Sequence, residues 1–539
     1  MIKLLLLFLG FISPSLLVSQ ITPEWVKILN GPYDYLDVGY DIALDKNGNV
    51  FVGGASVSIT NGAPDYIVVK YDNSGQFQWS QNYNGVGNYE DNFKAIAVDE
   101  EGSLYVTGGS YEGSSGMDYV TLKYGPTGAQ EWKSVYSGLN VDNDDEAADI
   151  AVGTDGFIYV TGSSAGYSSS MWTDFATIKY LPQGDTVWTA RFGGSGMPND
   201  VANAIAVDDS GYVYVAGYTE TFGGERYNYA TIKYTPDGDT AWARFYNGTG
   251  NDEDRAYALA VDGSGNVYVT GASWGAYYND YATVKYNADG VQQWVARYNG
   301  PANADDYAFD LKIDSQGNVY ITGYSGGNGY DYATIKYDSA GEEEWVARYN
   351  GPAGLNDYAM KLALDNEGNI FVTGYSENAP SPYTSTTDIV TIKYNSTGIE
   401  QWVDRYNGPG NYHDKGAAIA SDNAGNVYVT GRTDTYGQQN GADIVTIKYA
   451  TTNSISDHPL NEHLVIYPLP AKDLLHIISM SEILRIDLVD LTGKVIYSNE
   501  NPGKSLVLPV EDLPGGMYFL KFSLKDGFSG ARKVLMAKE

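Results

Sequence analysis

The sequence predicts an all-β chain: an eight-bladed β-propeller of four-stranded blades closed by its N-terminal strand, followed by a small Ig-like β-sandwich. Three observations predict it. Tryptophan recurs in one register at Trp25, Trp79, Trp132, Trp188, Trp242, Trp294, Trp345 and Trp402, a step of about 54 residues. A Lys-Tyr pair stands once in each unit, beginning at Lys70, Lys123, Lys179, Lys233, Lys285, Lys336, Lys393 and Lys448. Composition agrees, because 63 Gly and 48 Tyr among 539 residues, with 19 % charged, fit a long strand-rich array.

Each unit divides into four short runs rich in Val, Ile, Thr and Tyr. In one unit these are residues 258–262, 267–270, 282–286 and 294–298, here strands a, b, c and d. Asp-x-x-Gly-Asn at 262–266 and 365–369 joins a to b, and Gly-x-x-x-Trp at 290–294 and 341–345 joins c to d. Both put Gly where a tight hairpin needs a positive φ. Asp-x-Asn-Gly-Asn at 45–49 lacks the ligand spacing of an EF-hand calcium loop and reads as the same turn. Four-stranded units repeated in this way hide their sheet edges by radial closure. The first strand, at Trp25, is a d strand with no a, b or c before it, and the last unit, 417–449, has no Trp after it. The N-terminal strand is therefore expected to complete the last blade.

The ends of the chain carry different information. Lys3 followed by the apolar run Leu4 to Val18 and small Ser19 predicts a cleaved signal peptide over residues 1–19, since the run is short for a membrane span and contains Pro14. The propeller covers 20–450, a polar linker 451–463, and a tail domain 464–539 whose apolar and polar residues alternate. No segment after the signal could span a bilayer as a helix, so the mature chain is expected to be extracellular, secreted or held at the outer-membrane surface.

At this point the residues resemble known families. Asp-x-x-Gly-Asn-Val-Tyr-Val-Thr-Gly, then Asp-Tyr-x-Thr-x-Lys-Tyr, then Gly-x-x-x-Trp is similar to the bacterial β-propeller repeat called SBBP, over about residues 20–450. That resemblance implies the propeller fold and export, and implies no enzymatic activity. Gly-x-x-x-Trp also resembles the blade motif of pyrroloquinoline-quinone dehydrogenases, but this chain has Lys-Tyr where those carry Ala-x-Asp. Tyr467-Pro-Leu-Pro-Ala-Lys-Asp, Asp490-Leu-Thr-Gly-Lys-Val, Leu513-Pro-Gly-Gly-Met-Tyr and the final Lys533-Val-Leu look like the C-terminal sorting domain of the type IX secretion system of Bacteroidetes. One departure is Leu469, where that family usually has Asn. The resemblance implies the type IX machinery as a partner, passage through the outer membrane, and removal of the tail.

Charge and composition then exclude function classes. With 33 Lys+Arg against 67 Asp+Glu the formal charge is −34, which argues against a nucleic-acid partner. The absence of Cys removes thiol nucleophiles, zinc ribbons and thiolate-held clusters. No residue is nominated as catalytic and no cofactor is expected, save that calcium is an ion the acidic residues could take. The candidates for such a face are Asp37, Asp91, Asp145, Asp200, Asp254, Asp306, Asp357 and Asp414, one at the start of each a strand, with a second set near the start of each c strand. Because they recur in every unit, turn capping explains them equally well.

What breaks the repeat points to binding. Trp172 and Trp274 fall outside the register, in b-to-c loops that also hold Tyr167, Tyr227, Tyr277 and Tyr278, along with Tyr218, Phe222, Tyr324, Tyr330, Tyr383 and Tyr436. Flat aromatic platforms suit sugar rings. The expectation is a secreted or surface propeller acting as a binding or adhesion scaffold, for polysaccharide or a surface protein. The alternatives are a carboxylate-based glycan hydrolase and a calcium-stabilised structural protein.

Overall fold

Period-2 alternation and turn glycines generate antiparallel sheets, with no helix among the described residues. The computed structural model describes the chain apart from residues 1–20, 32–34, 58–61, 114–115, 140–142, 167–171, 194–198, 221–225, 379–385, 436–440, 451–463, 468–470, 473, 491–493, 526–528 and 538–539. The predicted signal segment and linker thus lie outside the described residues. The chain divides into two units, residues 1–451 and 452–539.

The first unit contains eight four-stranded antiparallel sheets. Sheets 1 to 7 occupy residues 37–83, 92–136, 145–192, 200–246, 254–298, 306–349 and 357–406. Sheet 8 combines residues 415–449 with the N-terminal strand Trp25–Leu29, which pairs antiparallel with the strand Ala442–Tyr449 through Trp25 opposite Lys448 and Leu29 opposite Ile444. Sheet 5 is typical: a is Asp254–Val261, b Val267–Trp274, c Asn279–Tyr286 and d Gln292–Tyr298. The a strand of each sheet touches that of the next, and sheet 8 returns to sheet 1, so the a strands surround one axis.

Repeated side chains fasten each sheet to its successor. The d-strand Trp donates its indole N–H to a c-to-d turn carbonyl one sheet on, as Trp79 to Pro126 (3.1 Å), Trp242 to Ala288 (3.1 Å) and Trp345 to Ser396 (3.2 Å). The Lys of the Lys-Tyr pair reaches the same carbonyls, as Lys70 to Pro126 and Lys233 to Ala288. Ring closure uses the same bonds: Trp25 and Lys448 of sheet 8 both donate to the Asn73 carbonyl of sheet 1. The turn glycines lie under these indoles with positive φ, as Gly341 (φ 86°) does under Trp294.

Each a strand carries a β-bulge that breaks its alternation, in sheet 6 between Ala308 and Asp310. The residue after the bulge faces the axis. Asp41, Asp149 and Asp310 there accept backbone N–H bonds from Ile96, Ile205 and Leu362 of the neighbouring sheets, each at 2.9 Å. Asp310, with Asp41 and Asp149, holds the Lys361 ammonium above the ordinary lysine range.

The second unit is one connected ladder of five strands, Leu464–Tyr467, Leu474–Val489, Val495–Pro509, Gly516–Leu524 and Ser529–Met536. Sequence alternation reads 474–478 and 483–491 as separate strands, whereas they are two arms of one strand whose register shifts between Ile478 and Ile483. A single apolar core draws on both arms, with Leu475, Ile477, Ile486 and Leu488 packed with Leu520, Phe522 and Val534.

Candidate binding face

The expected acidic ring is inside the protein. Asp37, Asp91, Asp145, Asp200, Asp254, Asp306, Asp357 and Asp414 are all 0–1 % exposed. Their carboxylates are turned under the d-to-a turns: Asp254, Asp306, Asp357 and Asp414 accept the N–H of Gly248, Gly300, Gly351 and Gly408 at 2.7 Å, and Asp37 and Asp91 accept those of Gly31 and Gly85. Asp145 accepts from Ala165 at 2.9 Å. Burial is the cause that pushes Asp37 and Asp145 up to about 6, opposed by the Ser56 and Ser164 hydroxyls. Among the described residues no three His, Asp or Glu side chains converge as a metal site. The loop at 45–49 is a turn, with Asp45 Oδ1 accepting the N–H of Asn47 and Asn49 at 2.9 Å.

Four members of the second acidic set pair with arginines on d, whereas the sheets of Asp65, Asp118 and Asp443 have Asn82, Val135 and Ile28 at the arginine position. Arg191, Arg297, Arg348 and Arg405 pair with Asp174, Asp280, Asp331 and Asp388 at 2.8, 2.8, 2.9 and 3.1 Å. Each also donates to the b-strand Ser of its own sheet and to a d-strand Tyr hydroxyl of the preceding one, as Arg297 does to Ser273 and Tyr246. Sheet 4 drops both members together, having Asn228 and Phe245, and Phe245 packs on Phe192 instead.

The loop aromatics are placed unevenly. Trp172 is half-buried, its carbonyl accepting from Gly166, and Trp274 ends strand b of sheet 5 with its N–H on Asp254 Oδ1. Tyr277 and Tyr278 are 73 % and 45 % exposed at the loop tip. Tyr167 lies outside the described residues. Of the five that are described, Tyr227 alone belongs to a larger assembly, in which neither Trp172 nor Trp274 takes part.

That assembly occupies one register position around the ring. The residue after the buried Asp at the head of each a strand faces a fixed partner on b, and in sheets 1 to 8 these pairs are Val38 with Ala55, Asn92 with Gly109, Glu146 with Ser163, Val201 with Tyr218, Arg255 with Ala272, Tyr307 with Tyr324, Tyr358 with Tyr375, and Lys415 with Arg432. Small or polar residues thus give way to aromatics and then to cations. From sheet 4 to sheet 8 the side chains touch in an arc. Tyr218 and Tyr227 have ring centroids 5.1 Å apart, and the Arg255 guanidinium lies 4.8 Å over Tyr227. Tyr257 packs on Phe309 at 5.5 Å, Phe309 on Tyr324 at 5.3 Å, and Tyr324 on Tyr330 and Tyr358 at 4.8 and 5.0 Å. Tyr358 continues to Tyr375 at 5.0 Å, over which the Lys415 ammonium sits at 4.4 Å. All of these are half-buried. Burial raises the phenols of Tyr307 and Tyr358 to about 12, so the arc is neutral aromatic surface with polar edges.

Comparison with known proteins agrees with the sheet pattern. Four stretches, 24–58, 187–221, 293–331 and 401–437, match the beta-propeller repeat SBBP, and residues 465–537 match a secretion system C-terminal sorting domain. The chain thus carries β-propeller repeats and a C-terminal sorting domain, which indicates export to the cell surface or secretion. An uncharacterized WD repeat-containing protein of Acanthamoeba polyphaga mimivirus is 24 % identical over 414 residues, covering 69 % of this chain, and the matched region spans only 26 % of that relative. Among solved structures, Sqt1 from Chaetomium thermophilum aligns at 12 % identity over 80 % of this chain and all of its own, with a TM-score of 0.48. The periplasmic gluconolactonase PpgL of Pseudomonas aeruginosa aligns at 13 % identity over 75 % and 98 %, with a TM-score of 0.38.

Proposed function

We propose that this exported propeller is a glycan-binding scaffold whose site is the aromatic arc of sheets 4 to 8, delivered outside the cell by a tail that is then removed. The observation that carries it is the break in symmetry at one register position: Val38, Asn92 and Glu146 on one side of the ring, Tyr307 and Tyr358 on the other. Structural positions in this chain repeat, as the eight buried aspartates do. A half-buried aromatic row that does not repeat contributes little to closing the ring and leaves stacking faces open, which suits pyranose rings. Tyr hydroxyls and nearby Asn279 and Asp305 supply the polar contacts that fix a sugar's orientation, Asn279 already donating to Tyr307 at 2.9 Å.

The test is retention of the full-length protein on immobilised polysaccharides, with released sugar assayed in parallel. Retention that falls in Tyr324→Ala and Tyr358→Ala, with melting unchanged and no sugar released, supports the reading. Retention unaffected by both substitutions, or no retention on any glycan, overturns it, and sugar release would make the protein a hydrolase.

A further inference from the structure

We infer that the end of the arc in sheet 8 is a subsite for an anionic substituent, a carboxylate or sulfate, so that the ligand is an acidic polysaccharide. This rests on the glycan reading above and names the class of glycan. Lys415 and Arg432 stand directly opposite one another on strands a and b. Like charges in that relation destabilise a sheet, and in a protein with formal charge −34 an acidic partner is the easiest thing to supply. Yet neither cation forms an ion pair among the described residues, while Arg191, Arg297, Arg348 and Arg405 all do. Residues 379–385 and 436–440 contain no Asp or Glu.

The surroundings sharpen the point. Burial, then Arg432, lowers the Lys415 ammonium, with Glu377 acting weakly the other way from beyond ion-pair distance. His413 is lowered too, by burial and then by Lys415 and Arg432, so a local positive field persists inside the acidic molecule. Lys415 covers one face of the Tyr375 ring, placing this charge beside Tyr358, the next ring of the arc. A sugar stacked on Tyr358 would hold a ring substituent against the two cations, and a planar carboxylate or a sulfate could accept from Arg432 in bidentate fashion. At 0.15 M salt the Debye length is about 8 Å, so the distant acidic surface is screened while these contacts are not.

The experiment measures affinity of the full chain for dextran, polygalacturonate and dextran sulfate, which separate neutral, carboxylate and sulfate ligands. Variants are Lys415→Gln, Arg432→Gln and Tyr324→Ala. Each Gln variant removes one member of a repelling pair, so the fold is expected to melt no lower than the parent, and a loss of binding cannot be laid to unfolding. The expected result is preference for one anionic polymer over dextran and a loss of about tenfold in affinity for it in either Gln variant. Equal binding of dextran, or anionic binding unchanged in both Gln variants while Tyr324→Ala still weakens it, overturns the anionic subsite and leaves the glycan reading standing. Binding insensitive to Tyr324→Ala, or absent for every polymer, overturns both.

Discussion

Arg348 donates a hydrogen bond of 3.0 Å to the Tyr298 hydroxyl across the seam between sheets 5 and 6, while its other terminal nitrogen holds Asp331 at 2.9 Å. One guanidinium thus satisfies a carboxylate within its own sheet and fixes the spacing to the sheet before it. Arg348→Met is expected to lower stability by about 2–3 kcal/mol, because it strands a largely buried carboxylate. Adding Asp331→Asn should recover much of that loss, since sheet 4 carries Asn228 and Phe245 at these two positions. Denaturant unfolding of the single and double variants checks this, and independent effects of the two changes would contradict it.

The turn glycines make a sharper steric test. A Cβ on Gly341 would stand 2.6 Å from Cδ2 of Trp294, at a φ of 86° that side chains other than glycine rarely adopt. Gly341→Ala is expected to cost about 1–3 kcal/mol. Gly62→Ala, where φ is 71° but nothing lies within 4 Å, should cost less, and equal losses would show that packing on the indole is unimportant.

Acidification should strengthen the protein before it weakens it. Burial raises Asp37, Asp65, Asp145 and Asp149 to about 6, from the ordinary aspartate value of 3.8. The native state therefore holds protons that the unfolded chain has released between about pH 4 and 6, and stability falls as pH rises through that window. The melting temperature is expected to be higher at pH 5 than at pH 7, and Asp65→Asn should raise it at pH 7 while flattening the pH dependence. A melting temperature that drops from pH 7 to pH 5 would refute the assignment.

Chelation bears on the buried aspartates. Their carboxylates bond to backbone N–H groups at 2.6–3.2 Å, which a bound divalent ion would have to displace. EDTA is expected to leave the melting temperature where it was, and a fall reversed by calcium would show that the ring holds metal after all.

Much of this molecule was legible because its structural residues repeat. The tryptophan register, the Lys-Tyr pairs and the aspartates at the head of each a strand each occur once per unit, and a contact made eight times announces itself in sequence. The aromatic arc was only half visible. Tyr218, Tyr227, Tyr324 and Tyr330 stand out as aromatics near b-to-c loops, but Tyr307, Phe309 and Tyr358 read as ordinary strand residues. They share a face with the others because Tyr307 and Tyr358 stand opposite Tyr324 and Tyr375 in the ladder and Phe309 follows Tyr307 by two, a cross-strand register that an apolar pattern does not mark. The same limit explains why Trp172 and Trp274 drew attention as breaks in the register although neither belongs to the arc. In the tail, alternation located the strand segments, but a register shift inside one long strand made two of them a single element.

The pairing of Trp25–Leu29 with residues 444–448 has a consequence for molecules that meet. The donor strand and the edge that receives it lie about 420 residues apart in sequence, and the ladder they form consists of backbone bonds and contacts that any identical chain can supply. A ring that opens at this seam exposes a ready edge and frees a ready strand. Two chains that trade their first strands keep every sheet four-stranded and every bond satisfied, yet leave as one particle, so the seam that closes each ring is also where two of them can become entangled.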